Sequence, residues 1–88
     1  MTDETVKRFL RYHKASLVDL ALAEVELDDK ELKVIDLCGR KRLTIEQAAE
    51  VLDVSDSTVK RTWAKARKRL IKAWSGQEYI EVLANYAE

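Results

Sequence analysis

Between Gly39 and Lys72 stand ten basic residues, Arg40, Lys41, Arg42, Lys60, Arg61, Lys65, Arg67, Lys68, Arg69 and Lys72, against four acidic ones, Glu46, Glu50, Asp53 and Asp56. The stretch carries a net charge of +6, and because the chain has sixteen residues of each sign, the remainder carries −6. Ammonium and guanidinium groups at this density do the chemistry of anion holding. They pair with phosphate oxygens, and those near the start of a helix can also bond the edges of bases. Other chemistry has little to work with. Glycine occurs only at Gly39 and Gly76, so no Gly-rich phosphate loop exists. The single histidine, His13, stands beside no nucleophile and lies on an apolar stripe, where a packed side chain is the plain reading. The single cysteine, Cys38, reads as a small buried apolar residue. Asp28 and Asp29 read as helix capping and not as an acid/base pair. No enzyme, metal site or cofactor is expected.

The elements that must position these cations are helices. The chain has 88 residues, 47% of them hydrophobic and 36% charged, with no proline. That balance excludes a disordered tail or a low-complexity linker, and the shortage of turn residues excludes strand sandwiches and barrels. An all-α fold in a single domain, residues 1–88, is expected. One cysteine permits no intrachain disulfide and fits a reducing compartment. No apolar run approaches the ~18 residues of a membrane helix, and no leader pattern opens the chain. A cytoplasmic protein with no membrane partner is expected.

Val6, Phe9, Leu10, His13, Leu17, Leu20 and Ala21 recur at spacings of three and four, which predicts one helix from about Asp3 to about Glu26. Asp28 and Glu31 are placed as a capping box, with Leu27 and Leu32 as a hydrophobic staple. The helix they open is predicted to run to Gly39, burying Leu32, Ile35 and Cys38, with Gly39 as its left-handed end. Thr44 and Gln47 form a second capping box, and Ser55 caps a third helix with Val54 and Val59 as its staple. A helix of about nine residues, a turn of about three and a further helix make a helix-turn-helix. The last of these carries Val59, Trp63, Ala66 and Leu70 on one stripe and continues to about Trp74. Trp63 is predicted to pack in the core, and Trp74 to cover the base of the N-terminal helix. Residues 75–88 can hold a short terminal helix bearing Ile80, Leu83, Ala84 and Ala87. The layout is thus an N-terminal helix over 1–26, a helix-turn-helix unit over 27–74 and a C-terminal helix.

The run LTIEQAAEVLDVSDSTVKRTWAKARKRL resembles the DNA-binding region 4 of sigma-70-type transcription initiation factors, most closely the extracytoplasmic-function group. The family pattern falls on Ala49, Leu52, Asp53, Val54, Ser55, Thr58, Val59, Lys60, Lys65, Ala66, Arg67 and Leu70. The resemblance covers about Leu27 to Lys72. Three sites depart from it. Asp53 replaces the turn glycine, Gln47-Ala48 stands for the usual Glu-Ile and removes an apolar group from the core, and Trp63 stands where an aliphatic residue is usual, its bulk offsetting that loss of volume. The resemblance implies a DNA-binding regulator of transcription whose recognition helix enters the major groove. A complete sigma factor also needs a region that melts promoter DNA, which 88 residues do not hold. A stand-alone domain, as in small phage or mobile-element regulators, is therefore expected.

With the apolar stripe facing inward, Asp56, Ser57, Lys60, Arg61, Ala64 and Lys65 turn outward. Asp56, Ser57, Lys60 and Arg61 lie near the helix start and are the candidate base contacts. Thr44, Ser55, Thr58, Lys65, Arg67, Lys68 and Arg69 are candidate phosphate contacts, with Arg40, Lys41 and Arg42 in the preceding loop. Double-stranded DNA is the expected partner. Two alternatives stand beside it: an interaction module that docks on RNA polymerase, and DNA binding for packaging or recombination. The flanking helices either complete the core or form a homodimer interface, for which Tyr12, Tyr79 and Tyr86 are candidates.

Overall fold

A computed structural model describes residues 1–78 together with 80 and 82. The fold is all-α, with α1 Asp3–Tyr12, α2 Ala15–Ala23, α3 Asp29–Val34, a π-helical turn Ile35–Arg40, α4 Ile45–Leu52 and α5 Asp56–Trp74. None of these helices is long and apolar enough to cross a membrane. The chain groups into two compact units, one of Leu27–Ala66 and one of Met1–Glu26 with the chain from Arg67 onward. Helix α5 contributes to both.

In the discontinuous unit, the single long helix predicted over Asp3–Glu26 is two. His13 and Lys14 are both extended, at φ −87°, ψ 158° and φ −57°, ψ 140°. The His13 N–H still donates to the Phe9 carbonyl, closing α1, and the Lys14 carbonyl accepts from Leu17 and Val18, opening α2. This break re-phases the apolar stripe. Val6, Phe9, Leu10 and Ala21 are buried as predicted, but Val18 and Leu22 replace the predicted Leu17 and Leu20 on the inward face. Leu20 is 66% exposed. Packing decides the phase, because α2 is apolar on nearly every side. The Ala21 carbonyl lies in the last turn of α2, where helical acceptors lose their partners. Val25 N–H donates to Leu22, and the Trp74 indole Nε1–H donates to Ala21 at 3.1 Å. Trp74 is fully buried and meets Phe9 edge-on, with ring centroids 5.1 Å apart. Phe9 also meets the half-buried His13 ring at 4.9 Å. Leu70 and Ile80 complete this core. Of the predicted terminal helix, Glu78, Ile80 and Val82 are helical, whereas Tyr79, Leu83, Ala84, Tyr86 and Ala87 lie outside the described residues.

The contiguous unit follows its capping signals closely. Asp28 Oδ1 accepts from Glu31 N–H at 2.8 Å, and Glu31 Oε1 accepts from Asp28 N–H at 3.1 Å. Two predicted details fail. Leu32 is exposed, with Val34 and Leu37 buried beside the predicted Ile35 and Cys38. Gly39 does not end the helix in a left-handed conformation. The backbone widens instead into a π turn, with Lys41 N–H donating to the Asp36 carbonyl five residues back, and the positive φ of 59° falls on Arg42. At α4, Thr44 Oγ1 accepts from Gln47 N–H at 3.1 Å while Gln47 Oε1 accepts from Thr44 N–H at 3.0 Å. Asp53 takes the left-handed conformation at φ 56°, ψ 49°. Val54 N–H then reaches Ala49 O and Asp53 N–H reaches Glu50 O, which is the Schellman ending of a helix. Ser55 Oγ accepts from Thr58 N–H at 3.2 Å and caps α5. Val59, Trp63 and Ala66 of the predicted stripe are buried, as are Ala48 and Ala49 of α4.

Candidate nucleic-acid interface

The apolar stripe Val59–Trp63–Ala66–Leu70 steps by four, three and four residues along α5 and is buried throughout. Ser57, Arg61, Ala64 and Lys68 repeat those steps two residues earlier. At about 100° per residue the two rows stand about 200° apart, on opposite faces of the helix. Ser57, Arg61 and Lys68 are exposed, and the small Ala64 is half-buried between larger neighbours. Lys60 and Lys65 are exposed on either flank, and Asp56, also exposed, opens the helix. Ser57, Arg61 and Ala64 therefore form an outward row in the first half of α5, with Asp56 and Lys60 beside it.

The candidate phosphate contacts sort into four groups. Lys65 and Lys68 are exposed. Thr44, Ser55 and Thr58 are occupied with capping: Ser55 Oγ lies 2.9 Å from Thr58 Oγ1, and the Thr44 hydroxyl accepts from its own helix. Their helices nonetheless begin with backbone N–H groups that can face an anion. Arg67 and Arg69 are turned to other work. Arg67 Nε donates to Asp3 Oδ1 at 3.2 Å with its side chain 18% exposed, and Arg69 Nη1 donates to the Glu26 carbonyl at 3.2 Å. In the loop before α4, Lys41 pairs with Asp36 at 3.3 Å, Arg40 is half-buried, and Arg42 is exposed on its left-handed backbone.

One feature escaped the sequence reading. Lys30, Lys33 and Val34 of α3, Leu52 and Val54 at the turn, and Thr58, Val59 and Thr62 of α5 line a cleft of about 140 Å³ within the contiguous unit. The three-residue spacing of Lys30 and Lys33 places both on one side of α3, but nothing local ties them to residues some thirty positions on. Among the described residues, no three of His, Cys, Asp and Glu gather as metal ligands.

Compared with known proteins, residues 2–76 match the family model described as ECF sigma factor. That span begins well before Leu27, so the two N-terminal helices fall inside the family match and not beside it. No curated protein and no solved structure matches the chain significantly.

Proposed function

We propose a DNA-binding role for this chain, which belongs to the ECF sigma factor family and so to a family that acts in transcription on DNA and RNA polymerase. It is a sequence-specific regulator of transcription, of the kind found in phages and mobile elements. It binds duplex DNA in the cytoplasm and carries out no catalysis. The first half of α5 lies in the major groove. Arg61 and Lys60 bond guanine, Asp56 accepts from cytosine, Ser57 adapts to either partner, and Ala64 is small enough to admit a thymine methyl. Lys65, Lys68 and the Arg40–Arg42 loop hold phosphates and set the register.

The observation that carries this reading is the turn at Asp53. A left-handed residue there joins two capped helices with only Val54 and Ser55 between them, and Ser57 and Arg61 stand opposite the buried stripe. Selection of bound duplexes from a random DNA pool, followed by salt titration of the preferred one, tests it. An enriched motif with affinity falling steeply in salt is the expected result. Weak binding without enrichment, lost at physiological salt, would remove the reading.

The lysine-rimmed cleft favours a second reading, docking on RNA polymerase through the contiguous unit. Charge reversal separates the two. Lys60→Glu with Arg61→Glu abolishes DNA binding in the first, and Lys30→Glu with Lys33→Glu abolishes polymerase binding in the second.

A further inference from the structure

Three consecutive cations, Arg67, Lys68 and Arg69, read in sequence as a single phosphate clamp. Helical geometry divides them, because successive residues point about 100° apart. Lys68 continues the outward row that begins at Ser57, while Arg67 and Arg69 project to its two sides. Their partners lie at the two ends of the N-terminal segment. Arg67 meets the carboxylate of Asp3, the first residue of α1, and Arg69 meets the backbone carbonyl of Glu26, three residues beyond α2. The Arg67 side chain is four-fifths buried in doing so.

We infer that Arg67 and Arg69 are positioning residues that hold the N-terminal helical pair against the end of α5, and that Lys68 alone of the three reaches a DNA phosphate. This deepens the DNA-binding reading and rests on it. Two neighbouring contacts fit the same role: the Trp74 indole bonded to Ala21 and the Phe9–Trp74 ring contact secure the same helical pair one to two turns further along α5. For Arg67 to reach a phosphate, it would have to leave the Asp3 carboxylate and expose a side chain that packing now covers. Lys68 has neither obstacle. The groove-facing row therefore runs Ser57–Arg61–Ala64–Lys68, and the basic run contributes one phosphate contact where its sequence suggests three.

The test pairs salt titration of DNA affinity with thermal melting, on the full chain, for Lys68→Ala, Arg67→Ala, Asp3→Ala and the Asp3/Arg67 double variant. The probe is the tightest duplex from the random pool. Lys68→Ala should reduce the salt slope by about 0.9, the value for one phosphate, and leave the melting midpoint in place. Arg67→Ala and Asp3→Ala should each lower the midpoint by about 2–5 °C and leave the slope unchanged, and the double variant should melt no lower than the worse single one. If Arg67→Ala lowers the slope by about 0.9 with the midpoint unmoved, or if the two losses add in full, the inference is overturned. Should Arg67→Ala fail to fold, Arg67→Lys supplies the same comparison with the charge retained. If Lys60→Ala, Arg61→Ala and Lys68→Ala all bind DNA like the parent, the DNA-binding reading falls. The positioning role is then decided by the melts alone.

Discussion

Replacing Asp53 with glycine should stabilise the protein, although it removes a side chain and loosens the unfolded chain. Asp53 sits at φ 56°, ψ 49° as the residue that ends α4. A non-glycine residue in this region costs about 1 kcal/mol, somewhat less for Asp than for most. Its carboxylate also stands at the negative end of the α4 dipole, a further penalty of about 0.3 kcal/mol for an exposed group. Against these, glycine adds unfolded-state entropy worth roughly 0.5–1 kcal/mol. The balance is a gain of about 0.5 kcal/mol, or about 2–4 °C in the melting midpoint. Asp53→Val should move the other way by about 1–2 kcal/mol, since a β-branched side chain is badly placed at positive φ. Circular dichroism at the helical band reads both, and Trp63 fluorescence reports the unit that holds the turn. A midpoint for Asp53→Gly at or below the parent's would refute the account of the turn. So would equal midpoints for the glycine and valine variants.

Further outcomes follow from packing and capping. Thr44→Ala removes one half of a reciprocal cap and should cost about 1 kcal/mol, read in the same melts. Val18→Ala should cost about 2 kcal/mol, whereas Leu20→Ser should change stability by less than about 0.5 kcal/mol; the pair checks the re-phased face of α2. Phe9→Ala, which removes the ring packed against Trp74, should cost about 3–5 kcal/mol and expose the indole to quenchers. Arg61→Ala should relax discrimination at one guanine by about 1–3 kcal/mol while leaving the other positions of the selected motif intact.

The parts of the fold that could be read from sequence are those whose cause lies within a few residues. The reciprocal caps at Asp28–Glu31 and Thr44–Gln47, the Ser55 cap and the left-handed Asp53 are local hydrogen-bonding and steric facts. The α5 stripe was legible because a long helix with one buried face leaves little ambiguity of phase. Helix α2 was legible only at Ala21, because its apolar residues surround it and the indole hydrogen bond to it comes from Trp74, more than fifty residues away. The break at His13 and Lys14 has no glycine or proline to announce it. Gly39 was a sound local signal that the π turn overrode, passing the positive φ to Arg42. For the candidate interface, residue type identified the cations, but not which of them tertiary partners had claimed. Arg67 and Arg69 are set apart from Lys68 by Asp3 and Glu26, which no local pattern connects to them.

The division of the chain into a contiguous unit and a discontinuous one bears on the order of folding. Leu27–Ala66 can assemble from near neighbours, whereas Met1–Glu26 must wait for the chain beyond Arg67 and close a loop of about forty residues. Bringing distant segments together costs more entropy when the intervening chain is unfolded than when it is already compact. Folding of the middle first therefore shortens the path for the ends. During synthesis, α1 and α2 leave the ribosome before α3, α4 and α5, yet the indole that bonds Ala21 arrives only with residue 74. These two helices wait longest for their partners, and until then Val6, Phe9, Val18 and Leu22 are open to any holdase that binds apolar segments.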